Sequence, residues 1–258
     1  MFRAFATPAL FALALGFAAS IETFAEEAPD LNALIARVVA RDAATQKELD
    51  AMQYRQDSKT EQFDDSGHVT HQQQAQMIIR PGATQEIQVV SVKGDQIPSD
   101  PDEAVQQAHG QETERRKHNF SLKNLVTRFN ISWVGRGDFM GQQADIIAFE
   151  PKPDQPFHDQ TEKVLNQLHG RMWIGRRNGV VLKTEASLAQ PVSVAWFFAK
   201  ITKLDFDYEL RSATSNFGPA WIQLAVEVDT PILNFHQRQT VDMTHFEPRR
   251  QIAAVKSL

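Results

Sequence analysis

Hydrophobic and polar positions alternate over much of this chain. Leu204, Phe206, Tyr208 and Leu210 interleave with Lys203, Asp205, Asp207 and Glu209, and Ile222, Leu224, Val226 and Val228 interleave with Gln223, Glu227 and Asp229. A period of two sends successive side chains to opposite faces of a strand. Both segments therefore predict half-buried antiparallel strands, at about 201–212 and 219–229. Around Asn178-Gly179 the pattern recurs. Met172 and Ile174 point one way and Arg171 and Trp173 the other, while beyond the turn Leu182 and Thr184 oppose Val181, Lys183 and Glu185. Asn-Gly predicts a tight primed turn, because both residues tolerate positive φ. The shared pattern predicts one curved antiparallel sheet with an oily face and a wet one.

Elsewhere the period is helical. Leu31, Leu34, Ile35, Val38 and Val39 follow Asp30, a capping residue, at helical spacing, and Leu49 and Met52 extend the stripe, so a helix is predicted over about 31–50. Strands are expected at about 52–62 and 68–80 around Asp64-Asp65-Ser66-Gly67, and at about 84–93 after Arg80-Pro81-Gly82-Ala83. Asp100-Pro101-Asp102-Glu103 starts a second helix, capped by Asp100, with Pro101 in its first position. Its charged later turns read as a solvated surface helix. Leu122, Leu125, Val126 and Phe129 predict a short helix after it, closing a helical insertion over about 100–129. Strands at 130–135 and 142–150, a helical turn at 161–168 and a last strand at 234–246 complete the pattern, with a Gly-rich turn expected at Gly135-Arg136-Gly137.

Residues 1–25 read as a secretory signal peptide: Arg3, an apolar run from Ala4 to Ala19, and a usable cleavage site at Thr23-Phe24-Ala25. The run falls short of the ~20 apolar residues of a membrane span, which favours removal over anchoring. Residues 26–258 then form a single domain. The chain has no cysteine, which excludes both a lipobox and disulfides. These features fit a periplasmic protein that is not itself a lipoprotein. With 27 basic and 32 acidic residues, the net charge of −5 argues against nucleic acid as a partner.

Catalytic signatures are missing. There is no Gly-x-Ser-x-Gly elbow, His-Glu-x-x-His or P-loop, and no cofactor motif. His68 and His71 fall on opposite faces of a strand, and Asp205 and Asp207 belong to an alternating solvated face, so no metal site is expected. Trp196-Phe197-Phe198 cannot all face one side of a strand. They form either a buried crossing or corner, or a lid or rim that touches lipid or a membrane protein.

In order and motif the chain resembles the outer-membrane lipoprotein-sorting proteins related to LolA and LolB. The likeness rests on the amphipathic helix, the polar meander, the charged helical insertion and Gly170-Arg171-Met172-Trp173-Ile174 with its partner strand ending near Glu185. It implies an α+β fold, an open antiparallel β-sheet or incomplete barrel with helices covering its concave face. It also implies a non-enzymatic carrier that binds acyl chains of lipids or lipoproteins, acts as a monomer, and exchanges cargo with a donor or acceptor protein in the inner or outer membrane. A sensor or scaffold module of the same fold is the alternative. Ile79-Arg80-Pro81 resembles the carriers' Arg-Pro element, which makes Arg80 the candidate lid latch. Trp133, Phe149, Met172, Ile174, Phe206, Tyr208, Ile222 and Leu224 are the candidate cavity-lining residues. An oily sheet face under helices is ordinarily a filled core, so a hollow is the specific expectation.

Overall fold

Residues 27–82, 86–95, 97–117, 122–194, 199–212, 218–231 and 234–249 are described by the computed structural model. The chain opens with α1 (Leu31–Leu49), β1 (Met52–Phe63), β2 (Val69–Arg80) and β3 (Glu86–Gly94). Next come α2 (Pro101–Lys117), α3 (Leu122–Thr127), β4 (Phe129–Phe139), β5 (Gln142–Pro151) and α4 (Gln160–Leu165). The remaining strands are β6 (Leu168–Gly175), β7 (Val181–Leu188), β8 (Val192–Val194), β9 (Ala199–Leu210), β10 (Ala220–Asp229) and β11 (Phe235–Pro248). Ten strands pair in the order β3-β2-β1-β11-β10-β9-β7-β6-β5-β4, and β8 pairs with the start of β9. Since β3 and β4 do not meet, the sheet is open: an antiparallel incomplete barrel with helices, as the resemblance implies.

Local chemistry sets the corners. Asp30 caps α1, its Oδ1 accepting from the Asn32 and Ala33 N–H groups at 3.0 and 3.2 Å. Asp64 Oδ1 accepts from Ser66 N and His68 N, each at 2.9 Å, and Gly67 takes φ +82°, closing the β1–β2 turn. Three corners differ from expectation. The Asn178-Gly179 turn is not a tight two-residue one: Gly175 N donates to Val180 O and Gly179 N to Gly175 O, each at 2.8 Å, so residues 176–179 form the loop and only Gly179 (φ +68°) takes the left-handed conformation. Beyond it Leu182 is the extra residue of a bulge, with Trp173 opposite Lys183 and Ile174 opposite Val181. Val181, rather than Leu182, therefore shares Ile174's position on the sheet. Finally, Arg136-Gly137-Asp138 is strand and not turn; β4 runs on to Phe139, and Met140 (φ +53°) and Gly141 (φ +78°) make the primed turn.

The concave face is covered in two halves. α2 lies against β1–β3, where Ala108 packs on Tyr54, Ala75, Met77 and Ile79. It is not merely a solvated helix, for Ala104, Ala108 and Glu112 are all buried. Four-residue spacing makes one face of short side chains, which carries little hydrophobic signal in sequence. α1 covers the other half, with Leu34 and Val38 packed on Ile147 and Ile174. The convex face is a ladder of charge, including Lys183 between Glu185 (2.8 Å) and Glu209 (3.7 Å), and Lys203 between Asp205 (3.6 Å) and Glu227 (3.3 Å).

Candidate functional site

Between the helices and the concave face the interior is not filled. One cavity of about 370 Å³ lies beneath α1 and α3, against β4 to β7 and β9. Ile35, Val38, Leu122 and Val126 roof it; Ile131, Ile147, Phe149, Met172, Ile174, Ala186 and Phe206 form much of its floor. Thr184 is the one lining residue with a polar side chain. A second space of about 430 Å³ adjoins it beneath the C-terminal half of α1. Val38, Leu122, Met172, Thr184 and Phe206 wall both, so the two are neighbouring chambers of one hollow. Tyr54, Tyr208, Leu210, Met243 and Phe246 floor the second chamber, and Arg41, Asp42, Thr45 and Gln46 enter it from α1.

The aromatic wall of the first chamber depends on a glycine. A Cβ at Gly170 would lie 2.7 Å from the tip of the Phe149 ring, so the bare backbone lets that ring lie across β6. Phe149 then meets Phe129 edge-on with centroids 5.2 Å apart. On the opposite wall Tyr54 stacks on Phe246 at 4.9 Å.

The second chamber is the polar one. Burial pushes the Asp42 carboxyl up, against a hydrogen bond it accepts from the Leu122 backbone N–H at the start of α3. Burial, followed by the nearby Asp42 carboxylate, pushes the Tyr208 hydroxyl up to about 12. Both shifts lie toward the neutral form, although Asp42 itself keeps substantial exposure to solvent.

Five of the eight cavity candidates reach these walls: Phe149 and Ile174 in the first chamber, Tyr208 in the second, and Met172 and Phe206 in both. Ile222 and Leu224 pair with Tyr208 and Phe206 but line neither chamber. Trp133 lies opposite Ile147 and also lines neither; its Nε1 is buried with no hydrogen-bond partner. Arg80 points away from the neighbouring Ile79 core position, donating to Gln53 Oε1 at 3.0 Å and Gln88 Oε1 at 3.4 Å and pairing with Glu86 at 3.6 Å. Those bonds tie β2 to β1 and β3; none of them reaches a helix. Trp196, Phe197 and Phe198 lie outside the described residues. Sequence reasoning missed Ile35, Ile131, Ile147 and Ala186 as lining residues, although Ile35 belongs to the stripe that predicted α1. It also missed Arg41 and Asp42.

No nucleophile with an adjacent base lines the first chamber, and among the described residues no cluster of three histidine or acidic side chains could hold a metal ion. No helix of the described residues is long and apolar enough to cross a membrane. What the hollow can do chemically is shelter hydrocarbon from water. The class of molecule is thus an open α+β half-barrel with an apolar hollow beneath its helices.

No family model and no curated relative matches the chain. Among solved structures it is similar to a DUF1329 family protein from Desulfovibrio piger, at TM-score 0.37 and 8% identity over 88% of this chain and 96% of that one. It is also similar to a LolA superfamily protein from Nitrosomonas europaea (TM-score 0.30, 8% identity, 84% and 94% covered). A third is MucB in the MucA/MucB complex of Pseudomonas aeruginosa (TM-score 0.27, 11% identity, 86% and 100% covered).

Proposed function

We propose that this protein binds the acyl chains of lipids or lipid-modified proteins in the hollow between α1, α3 and the concave face, and carries them through the periplasm. The observation that carries this reading is the unfilled, almost wholly apolar first chamber of about 370 Å³. Protein interiors are ordinarily packed to crystal density, and an apolar void of this size falls in the range of small-molecule sites. At the ~30 Å³ that a water occupies in the liquid, it has room for on the order of a dozen methylene-sized groups. Each methylene moved from water into it would gain about 0.8 kcal/mol. Met172 suits such a site because a flexible thioether adapts to an irregular guest. The roof on α1 and α3 is the part that would move to admit a chain.

Native mass spectrometry of the purified protein tests the reading. Co-purifying lipid that exchanges into acceptor vesicles is the expected result. A protein that retains no lipid, and that fails to take up a fluorescent acyl probe, would sink it.

A second reading, a sensor that reports bound lipid to a protein partner, draws on the open trough of about 460 Å³ on the other side of the sheet. Polar side chains there include Asp57, Lys59, Arg238 and Asp242, with Trp221 among them. Lipid that changes affinity for a partner without being transferred would favour this reading.

A further inference from the structure

The inward stripe of α1 changes character halfway along the helix. Leu34, Ile35 and Val38 face the sheet over the first chamber, but the next positions on the same face are Arg41, Asp42 and Thr45, and these enter the second. An apolar residue at 41 would simply continue the core. Instead a guanidinium lines the chamber with its side chain four-fifths buried, and its Nε and Nη2 are inaccessible and have no hydrogen-bond partner. Buried donors left unpaired are costly, and those of a charged group most of all.

The neighbouring carboxylates do not answer this demand. Asp42 is engaged with the Leu122 backbone N–H. Glu48, one of the more exposed groups of α1, comes no nearer than 3.5 Å to Arg41 Nη2. Thus a cation with spare donors stands in the chamber that opens directly off the apolar one, with Met172, Thr184 and Phe206 common to both.

Resting on the acyl-chain reading above, we infer that the preferred ligand is an amphiphile with an anionic oxygen head group, a carboxylate or a phosphate ester. Its chain occupies the first chamber and its head accepts hydrogen bonds from Arg41 in the second. The planar guanidinium fork matches either head group in a two-point contact. Specificity then divides between the chambers: the first reads chain length, the second reads charge. A neutral chain of equal length fills the first chamber and leaves Arg41 with only its 3.5 Å ion pair to Glu48.

The experiment compares tetradecanoate, tetradecyl phosphate and tetradecanol, each below its micellar concentration, by titration calorimetry on the wild-type protein and on Arg41→Gln, Arg41→Lys and Glu48→Gln. The two anionic ligands are expected to bind about tenfold or more tighter than the alcohol, the scale of a charge-assisted hydrogen bond. Arg41→Gln brings them down to the alcohol's affinity while leaving the alcohol unchanged, and Arg41→Lys keeps part of the preference. Glu48→Gln, which removes the competing carboxylate, strengthens anion binding severalfold. Equal binding of acid and alcohol to the wild type overturns the head-group site and leaves the chain site standing. So does an Arg41→Gln variant that weakens all three ligands alike. Acetate or inorganic phosphate displacing tetradecanoate at equal concentration would show a small-anion site with no chain, and also overturns the proposal. If no amphiphile binds, the chain site falls together with this one.

Discussion

Gln56 Nε2 on β1 donates to Glu112 Oε2 on α2 at 2.9 Å, and both side chains are buried. This bond pins a helix whose buried side chains, among the described residues, are Ala104, Ala108 and Glu112. It therefore sets where α2 lies on its half of the sheet.

Gln56→Leu should destabilise the protein by about 1–3 kcal/mol, because it removes a donor from a buried carboxylate. Urea unfolding monitored by far-ultraviolet circular dichroism reads the change. An unaltered midpoint would mean that the bond does not hold α2 in place.

Filling the first chamber from its floor separates binding from folding. Ala186 on β7 lines it, next to Gly170 and Phe206 in the strand register. Ala186→Phe should lower acyl-probe affinity at least tenfold, since the new ring takes the space of several methylenes, at ~0.8 kcal/mol of chain burial each. Its melting temperature should be unchanged or higher, because filling a void restores packing contacts. Retained affinity in a folded Ala186→Phe protein would place the chain elsewhere.

Gly170→Ala tests the aromatic wall. The added methyl meets the Phe149 ring and the Glu185 carbonyl, so a loss of about 1–3 kcal/mol is expected from overpacking. Adding Phe149→Leu should recover part of it, because two residues in contact are not additive. A double-mutant cycle by thermal unfolding measures the coupling; zero coupling would separate the two residues.

Acid stability should depend on Glu61. Its burial favours protonation, but hydrogen bonds from Lys59 and Arg238 outweigh this and hold the carboxyl below its ordinary value near 4.5. The folded value is the lower one. The pair therefore adds stability at pH above the ordinary value, and loses it as pH falls through the depressed one. Arg238→Met should raise the folded value and so reduce stability near neutral pH by more than in strong acid. What persists in acid reports the loss of the Arg238 guanidinium from the Phe63 ring, whose centroid it approaches to 4.9 Å. Chemical denaturation across the acid range measures the difference, and parallel curves for the two proteins would rule out the linkage.

The period-two alternation from Leu204 to Val228 and the Asp30 cap were enough to place strands, the first helix and the oily face, because such signals act between residues near in sequence. The family resemblance implied the sheet's openness, but the bulge at Leu182 and the burial of α2 came only with the tertiary structure. They depend on pairings such as Asp57 with Asp242, which no local pattern encodes. The hollow is the sharpest case. Phe206 and Leu224 sit opposite each other on adjacent strands with the same alternation, yet Phe206 lines both chambers and Leu224 neither. Alternation says which face a side chain takes. Whether that face meets another side chain or empty space depends on where α1 and α3 come to rest above it.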